Sequence, residues 1–323
     1  MSTSRIFTVL VLAALIAFPL LAPLYGLEFY ISFVRRIFIY AMAASALNLV
    51  LGYGGLVALG HAAFFGAGAY TVGILATEGV DSGLIAWPAA MLVSGLLAFL
   101  TGAVSLRTRG VYFIMITLAF AQMIYYLFIS LRQYGGEDGL NLYSTSQLPG
   151  VDLSNDLVFY YLVLAVLVLV LFLFRRLVNA RFGQALMGTR ENESRMQSLG
   201  YPVYRIRLTA YTISGAVMGL AGALLANHNL FVSPSLMNWT QSADLIIMVL
   251  VGGIGLLYGG ALGAFVMLVL EEILRNWTEY WHMPLGILLL VVVFFAPKGL
   301  AGLVRIRSAA DPASTAKLAK EQA

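Results

Sequence analysis

Apolar runs separated by short polar segments fill most of this chain. Many runs approach about 20 residues, the length at which a helix rising 1.5 Å per residue crosses about 30 Å of hydrocarbon. The clear runs are Ile6–Tyr25, Leu84–Leu106, Val111–Leu131, Leu157–Phe174, Leu208–Leu230, Ala243–Tyr258 and Pro284–Phe295. The shorter or glycine-rich runs are Phe33–Leu51, His61–Ala76 and Gly260–Ile273. The pattern predicts an all-α polytopic membrane protein of about ten transmembrane helices, some of them broken and rich in glycine.

The composition requires lipid around part of the molecule. Of 323 residues, 61% are hydrophobic and 11% are charged, and the mean hydropathy is +0.89. Soluble domains carry about 25% charged residues. Cysteine is absent, which excludes disulfides and thiolate metal sites. Because His61, His228 and His282 lie far apart in the sequence, we predict no metal site.

Basic residues orient the predicted spans, because cytoplasmic loops of membrane proteins carry an excess of lysine and arginine. With both termini in the cytoplasm, the inner segments collect Arg5, Arg107, Arg109, Arg175, Arg176, Arg181, Arg190, Arg195, Arg205, Arg207, Lys298, Arg305, Arg307, Lys317 and Lys320. The outer segments receive Arg35, Arg36, Arg132 and Arg275. The net charge of +4 therefore reflects cytoplasmic loops, and nucleic acid is not a predicted partner. The chain divides into a transmembrane domain, residues 1–307, and a disordered cytoplasmic tail, residues 308–323.

A glycine-rich stretch, GYGGLVALGHAAFFGAGAY, occupies residues 52–70. Each glycine weakens a helix by up to ~1 kcal/mol relative to alanine, and irregular backbone persists at membrane depth only inside protein or beside a wet cavity. The cluster of glycines at residues 52–55 predicts a helix break, and broken helices often line a substrate path. Close helix packing is the alternative for the other glycines and for each polar residue. The residues predicted at the path are Asn48, Gly52, Gly54, Gly55, Gly60, Thr117 and Gln122.

A second group of glycines lies nearer the C-terminus. Its members are Gly252, Gly253, Gly255, Gly259 and Gly263. The spacing of four residues within this group predicts close contacts between helices. On its own, the group predicts a compact bundle and gives no information on a substrate.

The segment Arg175–Arg207 contains seven arginines and two glutamates. Each charge would cost about 2.5–3.5 kcal/mol at the bilayer centre, so the segment is predicted to lie in the cytoplasm. Thr189 or a neighbour is predicted to begin a helix of about three turns, with Glu191 and Glu193 in its first turn. Gly200 and Pro202 are predicted to end this helix. Such a capped helix suggests a docking surface, and an ordinary solvated loop is the alternative.

Several classes of function are disfavoured by what the sequence lacks. No Asp, Glu or Lys lies in the middle of a predicted span, which argues against an ion-coupled carrier. No GxxxxGK[ST] motif occurs, so any ATP must bind to another polypeptide. No constellation of His, Ser or metal ligands suggests an enzyme.

Three stretches resemble the permease subunits of branched-chain amino acid ABC importers. They are ALNLVLGYGGLVALGHAAFFGAGAYT (Ala46–Thr71), ARFGQALMGTRENESRMQSLGYPVYRIRLTAYTISGAVMGLAGAL (Ala180–Leu224) and SADLIIMVLVGGIGLLYGGALGA (Ser242–Ala264). The resemblance runs from about residue 45 to residue 300 in the family's order. By position, the residues that match the family's coupling helix are Gly183, Glu191, Asn192, Glu193 and Gly200. Ser194 and Arg195 stand where the family commonly has small residues, which puts the fit at that point in doubt.

The resemblance implies a multisubunit importer in a bacterial inner membrane. Two permease subunits, related or identical, would pair above two cytoplasmic ATP-binding cassette subunits, and a periplasmic binding protein would deliver the solute. ATP and Mg²⁺ would bind only to the cassette subunits, leaving this chain without a cofactor. Branched-chain or other hydrophobic amino acids are the implied solutes. A same-family permease for urea or short amides is an alternative, and a stand-alone carrier or channel is a more distant one.

Overall fold

The structure is a computed structural model that describes residues 3–21, 26, 28–149, 152–277, 280, 282–295 and 299–303. The predicted disordered tail, residues 308–323, lies outside the described residues, as do Lys298 and the basic residues that follow it. The described residues form α1 (Thr3–Leu21), α2 (Glu28–Asn48), α3 (His61–Thr77), α4 (Gly83–Ser105), α5 (Val111–Ser130), α6 (Asp156–Asn179), α7 (Arg181–Glu191), α8 (Glu193–Ser198), α9 (Val203–Asn229), α10 (Trp239–Gly252), α11 (Gly259–Trp277), α12 (His282–Phe295) and α13 (Leu300–Leu303).

The apolar runs of the sequence coincide one by one with α1–α6 and α9–α12. Five helical segments are long and apolar enough to cross a membrane by length and composition: residues 29–53, which include α2, and helices α4, α5, α6 and α9. The prediction of a helical membrane protein is therefore confirmed. The number of about ten spans is not established by this criterion and stays a prediction.

Helices α2, α3 and α9 form the centre of the bundle. The span that includes α2 is 89% buried and α9 is 78% buried, whereas α4, α5 and α6 are only 28–39% buried. Glycine allows α3 and α9 to approach closely, because a Cβ atom on Gly68 would collide with the Gly219 carbonyl oxygen. The outer helices leave rows of large apolar side chains exposed, as expected where lipid or another subunit covers them.

Irregular segments interrupt the helices at two places, the first of them between α2 and α3. After Asn48, α2 continues as one π-helical turn, Leu49–Tyr53, and residues 54–60 are irregular before α3 begins. We call residues 49–60 the first break. Gly55 has a φ of +67°, a conformation that other residues rarely adopt. The predicted break at these glycines is confirmed.

A second break separates α10 from α11. Helix α10 ends at Gly252, and residues 253–258 are irregular, with φ of +116° at Gly253 and +75° at Gly255. We call residues 253–258 the second break. The predicted run Ala243–Tyr258 extended too far, because these two glycines end the helix instead of only packing against a neighbour.

The loop between α5 and α6 contains more structure than its turn-rich sequence predicts. Residues Arg132–Tyr134 form a 3₁₀ turn, and the strand β1 (Leu140–Asn141) pairs antiparallel with β2 (Phe231–Val232). The register places Leu140 opposite Val232. This short ladder joins the loop to the segment between α9 and α10.

The bundle has two chemically distinct ends. We call the end that carries α7 and α8 the basic end, and the end at which α6 begins the opposite end. Arg35, in the second turn of α2, donates to Asp156 at the start of α6 and to His228 at the end of α9. Gly52, beyond the other end of α2, contacts Arg190 of α7. Helix α2 therefore runs from the opposite end to the basic end.

Candidate functional site

We call residues 175–207, predicted to form a docking surface, the docking segment. It contains two short helices where one was predicted. Helix α7 ends at Glu191 and α8 begins at Glu193, with Asn192 in an extended conformation between them. The Asn192 side-chain oxygen accepts from the Arg195 amide at 2.9 Å and so caps α8. The prediction that Thr189 or a neighbour begins a helix with Glu191 in its first turn was wrong, because Thr189 lies inside α7 and Glu191 is its last residue. Glu193 does lie in a first turn, that of α8. Asn192 takes the capping role because its short side chain can reach the amide of the third residue beyond it.

Gly200 ends α8, as its sequence position predicts. Its φ is +82°, its amide donates to the Gln197 carbonyl at 2.9 Å, and the Tyr201 amide donates to the Met196 carbonyl at 3.1 Å. These two bonds form a Schellman motif, which requires a left-handed residue at this position. No side chain or backbone lies within 4 Å of where a Gly200 Cβ would stand, so the backbone conformation alone favours glycine there.

Gly183 sets the corner between α6 and α7. It is buried, and a Cβ atom there would collide with the backbone of Val178. Ala180 lies in an extended conformation between the two helices. The close approach at Gly183 lets α7 fold back against the end of α6, which places α7 across the basic end of the bundle.

The two glutamates of the segment differ in their surroundings. Glu193 accepts from Arg109 at 2.9 Å, from Arg207 at 3.0 Å and from Gln197 at 3.1 Å. Glu191 is exposed and makes no hydrogen bond or ion pair with the described residues. Glu193 therefore fixes α8 to the bundle, whereas Glu191 and Asn192 are exposed at the surface.

Arg190, predicted from the sequence only as a cytoplasmic charge, lies between this segment and the first break. Its Nη1 donates to the Gly52 carbonyl oxygen in the first break. A Cβ atom on Gly55 would lie 2.7 Å from the Arg190 Cγ, and one on Gly255 would lie 3.3 Å from the Nη1. One side chain of α7 thus contacts both breaks. No local pattern in the sequence indicates this contact, because Gly52 lies 138 positions away along the chain.

Asn48, predicted at the path, holds the two breaks together. Its Nδ2 donates to the Leu256 carbonyl at 2.8 Å, and its Oδ1 accepts from the Gly255 amide at 3.0 Å. The residue is only 1% exposed. Both the nitrogen and the oxygen of its amide group therefore bind the backbone of the second break, in agreement with the packing alternative for this residue.

The other predicted path residues fall into separate groups. Gly52, Gly54 and Gly55 lie in the first break beside α7, where Leu186 packs against Gly54. Thr117 is buried and accepts from the Leu59 amide at 3.3 Å, and a Cβ atom on Gly60 would lie 2.7 Å from the Thr117 carbonyl oxygen. Gln122 is half-buried on α5 and belongs to neither group.

No metal-binding cluster appears in the part of the chain that the structure describes: no three His, Cys, Asp or Glu side chains come together there in a way that could hold an ion. Of the histidines, His61 is buried against Phe64 and Tyr211, and His228 accepts from Arg35 at 2.9 Å. The polar contacts described at the basic end are made by arginine and glutamate side chains and by backbone carbonyls.

Comparisons with known proteins identify the family of the chain. The family described as the branched-chain amino acid transport system / permease component matches residues 29–293. The chain is 34% identical to the high-affinity branched-chain amino acid transport system permease protein LivM of Salmonella typhimurium and 33% identical to LivM of Escherichia coli. Each alignment covers 83% of this chain and 68% of the relative.

A more distant relative is the probable branched-chain amino acid transport permease protein LivM of Methanocaldococcus jannaschii, which is 30% identical over 44% of this chain and 46% of its own. No solved structure matches this chain. The matched family spans both breaks, the docking segment and all the helices from α2 to α11. The chain therefore belongs to the family of branched-chain amino acid transport system permease components.

Proposed function

We propose that this chain is the membrane-spanning subunit of an ATP-driven importer of branched-chain or other hydrophobic amino acids. The observation that carries the proposal is the basic end, where α7 and α8 expose Glu191 and Asn192 while Arg190 contacts both helix breaks. A surface segment that touches the irregular centre of a bundle can link a cytoplasmic partner to the solute path. The names of the LivM relatives support the choice of solute.

The basic end faces the cytoplasm in this proposal. Arg109, Arg190 and Arg207 lie at this end, and arginine is enriched in cytoplasmic loops. The order of the helices then puts the start of α1 and the end of α12 on the same side, so both termini are cytoplasmic. The membrane is the bacterial inner membrane, and a periplasmic binding protein meets the opposite end.

Cytoplasmic ATP-binding cassette subunits dock on α7 and α8. They bind ATP and Mg²⁺ and carry out the hydrolysis, because this chain has no phosphate-binding glycine loop. Glu191 and Asn192 make contacts with the cassette subunit, while Gly183, Glu193 and Gly200 give the segment its shape. The chain itself is not an enzyme.

A second permease subunit, related or identical, packs against the exposed face of α5. This face carries Tyr112, Met115, Met123 and Tyr126, each 63–75% exposed, with the half-buried Gln122 beside them. The exposed face of α6 is instead formed by Val168, Leu169, Phe172 and Leu173, which suit lipid. Tyrosine and methionine are enriched at protein interfaces, so the solute path is proposed to run between two α5 faces.

A pull-down from mild detergent tests the docking claim. Tagged wild-type chain should retain a cassette subunit, and Glu191→Lys should lose it because the reversed charge faces the partner. Glu137→Lys is the matched control, since Glu137 is exposed in the loop at the opposite end. Both variants should keep the wild-type melting temperature in detergent. Retention of the cassette subunit and of ATP-dependent leucine uptake by Glu191→Lys contradicts the docking surface.

Proteoliposomes test the transport claim. The complex of permeases and cassette subunits should take up radiolabelled leucine only with ATP and a leucine-binding protein. The purified chain alone should take up none. Leucine flux through the chain alone would contradict the proposal and would favour a self-sufficient carrier or channel.

A further inference from the structure

The end of α2 leaves backbone carbonyls without helical partners, as every helix end does. In the first break, the Gly54 amide donates to Leu49 and the Leu56 amide donates to Val50. The Gly52 carbonyl oxygen instead accepts from the Arg190 guanidinium. A cation at this end also interacts favourably with the helix dipole of α2. The interrupted helix is thus capped by a residue of α7 that lies 138 positions further along the chain.

Glycine makes room for this side chain on two sides. The Arg190 Cγ would stand 2.7 Å from a Cβ on Gly55, and its Nη1 would stand 3.3 Å from a Cβ on Gly255. The first distance is shorter than the separation of two carbon atoms in van der Waals contact. The arginine therefore occupies the space that a side chain at residue 55 would need. The arginine stem and guanidinium therefore contact the first break and the second break together.

The two breaks are also joined to each other. Asn48 binds the Leu256 carbonyl and the Gly255 amide at 2.8 and 3.0 Å. A continuous set of contacts then leads from Arg190 to Gly52, through Asn48, and on to the second break. Packed contacts and hydrogen bonds of this kind carry movement when the elements they join have more than one arrangement.

The other end of the contact set is the docking segment. Arg190 directly precedes Glu191, which is exposed, and Asn192, which begins the turn into α8. Arg207 donates to the Thr189 carbonyl at 3.0 Å and fixes the last turn of α7 against α9. A displacement of this turn moves the backbone that carries the Arg190 side chain, whose guanidinium is bound to the Gly52 carbonyl.

We propose that Arg190 is the positioning residue that transmits movement of the docking segment to both helix breaks, an inference that rests on the function proposed above. Arg190 acts through the Gly52 carbonyl and touches neither solute nor nucleotide. Its removal should leave the helices folded and the cassette subunits bound. What should be lost is the link between ATP hydrolysis and opening of the path.

The experiment compares Arg190→Gln, Arg190→Lys and the control Arg175→Gln in the complete complex with its partner permease, cassette subunits and leucine-loaded binding protein. Arg175 is an exposed arginine near the end of α6 whose side chain makes no hydrogen bond or ion pair with the described residues. The measured quantity is leucine transported per ATP hydrolysed in proteoliposomes. We expect Arg190→Gln to lower this ratio about tenfold, within the usual range of coupling between sites. Arg190→Lys should fall between Arg190→Gln and wild type, because lysine offers a point charge without the planar fork.

Two further measurements separate transmission from other roles. Arg190→Gln should keep the cassette subunits in the pull-down and should keep the melting temperature of Arg175→Gln. The double variant Asn48→Ala/Arg190→Gln should lose no more coupling than the worse single variant, because both residues serve one set of contacts.

A wild-type ratio in Arg190→Gln overturns the proposal, and so does additive loss in the double variant. Dissociation of the cassette subunits from Arg190→Gln also overturns it, because Arg190 would then be a docking contact. If the wild-type complex contains no cassette subunits or shows no ATP-driven leucine uptake, the function proposed above is contradicted. The wild-type complex is therefore measured before any variant.

Discussion

The Asn48 side chain donates its Nδ2 to the Leu256 carbonyl at 2.8 Å, although 208 positions separate the two residues. The Oδ1 of the same side chain accepts from the Gly255 backbone amide. Replacing Asn48 with alanine leaves the half-buried Gly255 amide without this acceptor and removes one of two donors to the Leu256 carbonyl, which also accepts from the Gly259 amide at 2.9 Å. A polar group left unpaired in the interior costs about 1–3 kcal/mol. Asn48→Ala should therefore unfold at a lower temperature in detergent than wild type, and it should loosen both breaks in hydrogen exchange.

The control for this prediction is Asn179→Ala. Asn179 is exposed, and its side chain donates only to the Arg175 carbonyl one turn earlier. Asn48→Asp adds a second test, since a carboxylate can still accept from Gly255 but cannot donate to Leu256. Equal melting temperatures for Asn48→Ala and Asn179→Ala would show that Asn48 does not hold the breaks together.

Glu193 should hold α8 in place mainly through Arg207. The side chains of Glu193 and Arg207 are 22% and 14% exposed, whereas that of Arg109 is 74% exposed. Exposed ion pairs contribute about 0–1 kcal/mol. We expect Glu193→Gln and Arg207→Gln to increase amide exchange across residues 192–200, and Arg109→Gln to change it little. An equal increase with Arg109→Gln would mean that the exposed pair also secures the helix.

Close backbone contact between α3 and α9 gives a third prediction. A Cβ on Gly68 would collide with the Gly219 carbonyl oxygen, so Gly68→Ala must push the two central helices apart. Overpacking of this kind costs about 1–3 kcal/mol, and the melting temperature should fall. The matched change Gly286→Ala in α12 meets no atom within 4 Å. It should leave the melting temperature unchanged or raise it, because alanine favours helix by up to ~1 kcal/mol over glycine.

The helices and the first break could be predicted from the sequence because both signals are local. An apolar run of about 20 residues has few other stable forms in lipid, and the glycines at residues 52–55 are too dense for a continuous helix. The second break was missed because its glycines also fit a spacing typical of helix packing. Only the positive φ values of Gly253 and Gly255 reveal the interruption.

The role of Arg190 could not be predicted, because it depends on a contact 138 positions away along the chain. The same holds for Asn48, whose partners belong to a break that was not foreseen. The difference between the unpaired Glu191 and the paired Glu193 also depends on tertiary structure, since Arg109 and Arg207 come from other parts of the chain. Sequence spacing predicted both glutamates in the first turn of one helix, whereas Glu191 ends α7 and Glu193 begins α8.

The opposite end of the bundle gives the last prediction, which concerns the buried Arg35. Arg35 is 5% exposed and donates to Asp156 at 2.8 Å and to His228 at 2.9 Å, with its guanidinium 4.7 Å from the Phe159 ring centre. The Asp156 side chain is 74% exposed. Removing the carboxylate leaves a buried cation without its counter-charge, and the cost should lie below the roughly 3–5 kcal/mol of fully buried pairs because solvent screens the exposed Asp156.

Asp156→Ala should therefore destabilise the protein more than Arg35→Met, since Asp156 left alone is hydrated. The double variant should melt above Asp156→Ala, because it removes the uncompensated cation as well. Glu271→Ala is the control: its 3.6 Å pair with Arg36 is longer, and Arg36 is 34% exposed. Thermal unfolding of the four variants in one detergent measures the order. A double variant that melts below Asp156→Ala would show that Arg35 stabilises this end through His228 and Phe159, independently of its counter-charge.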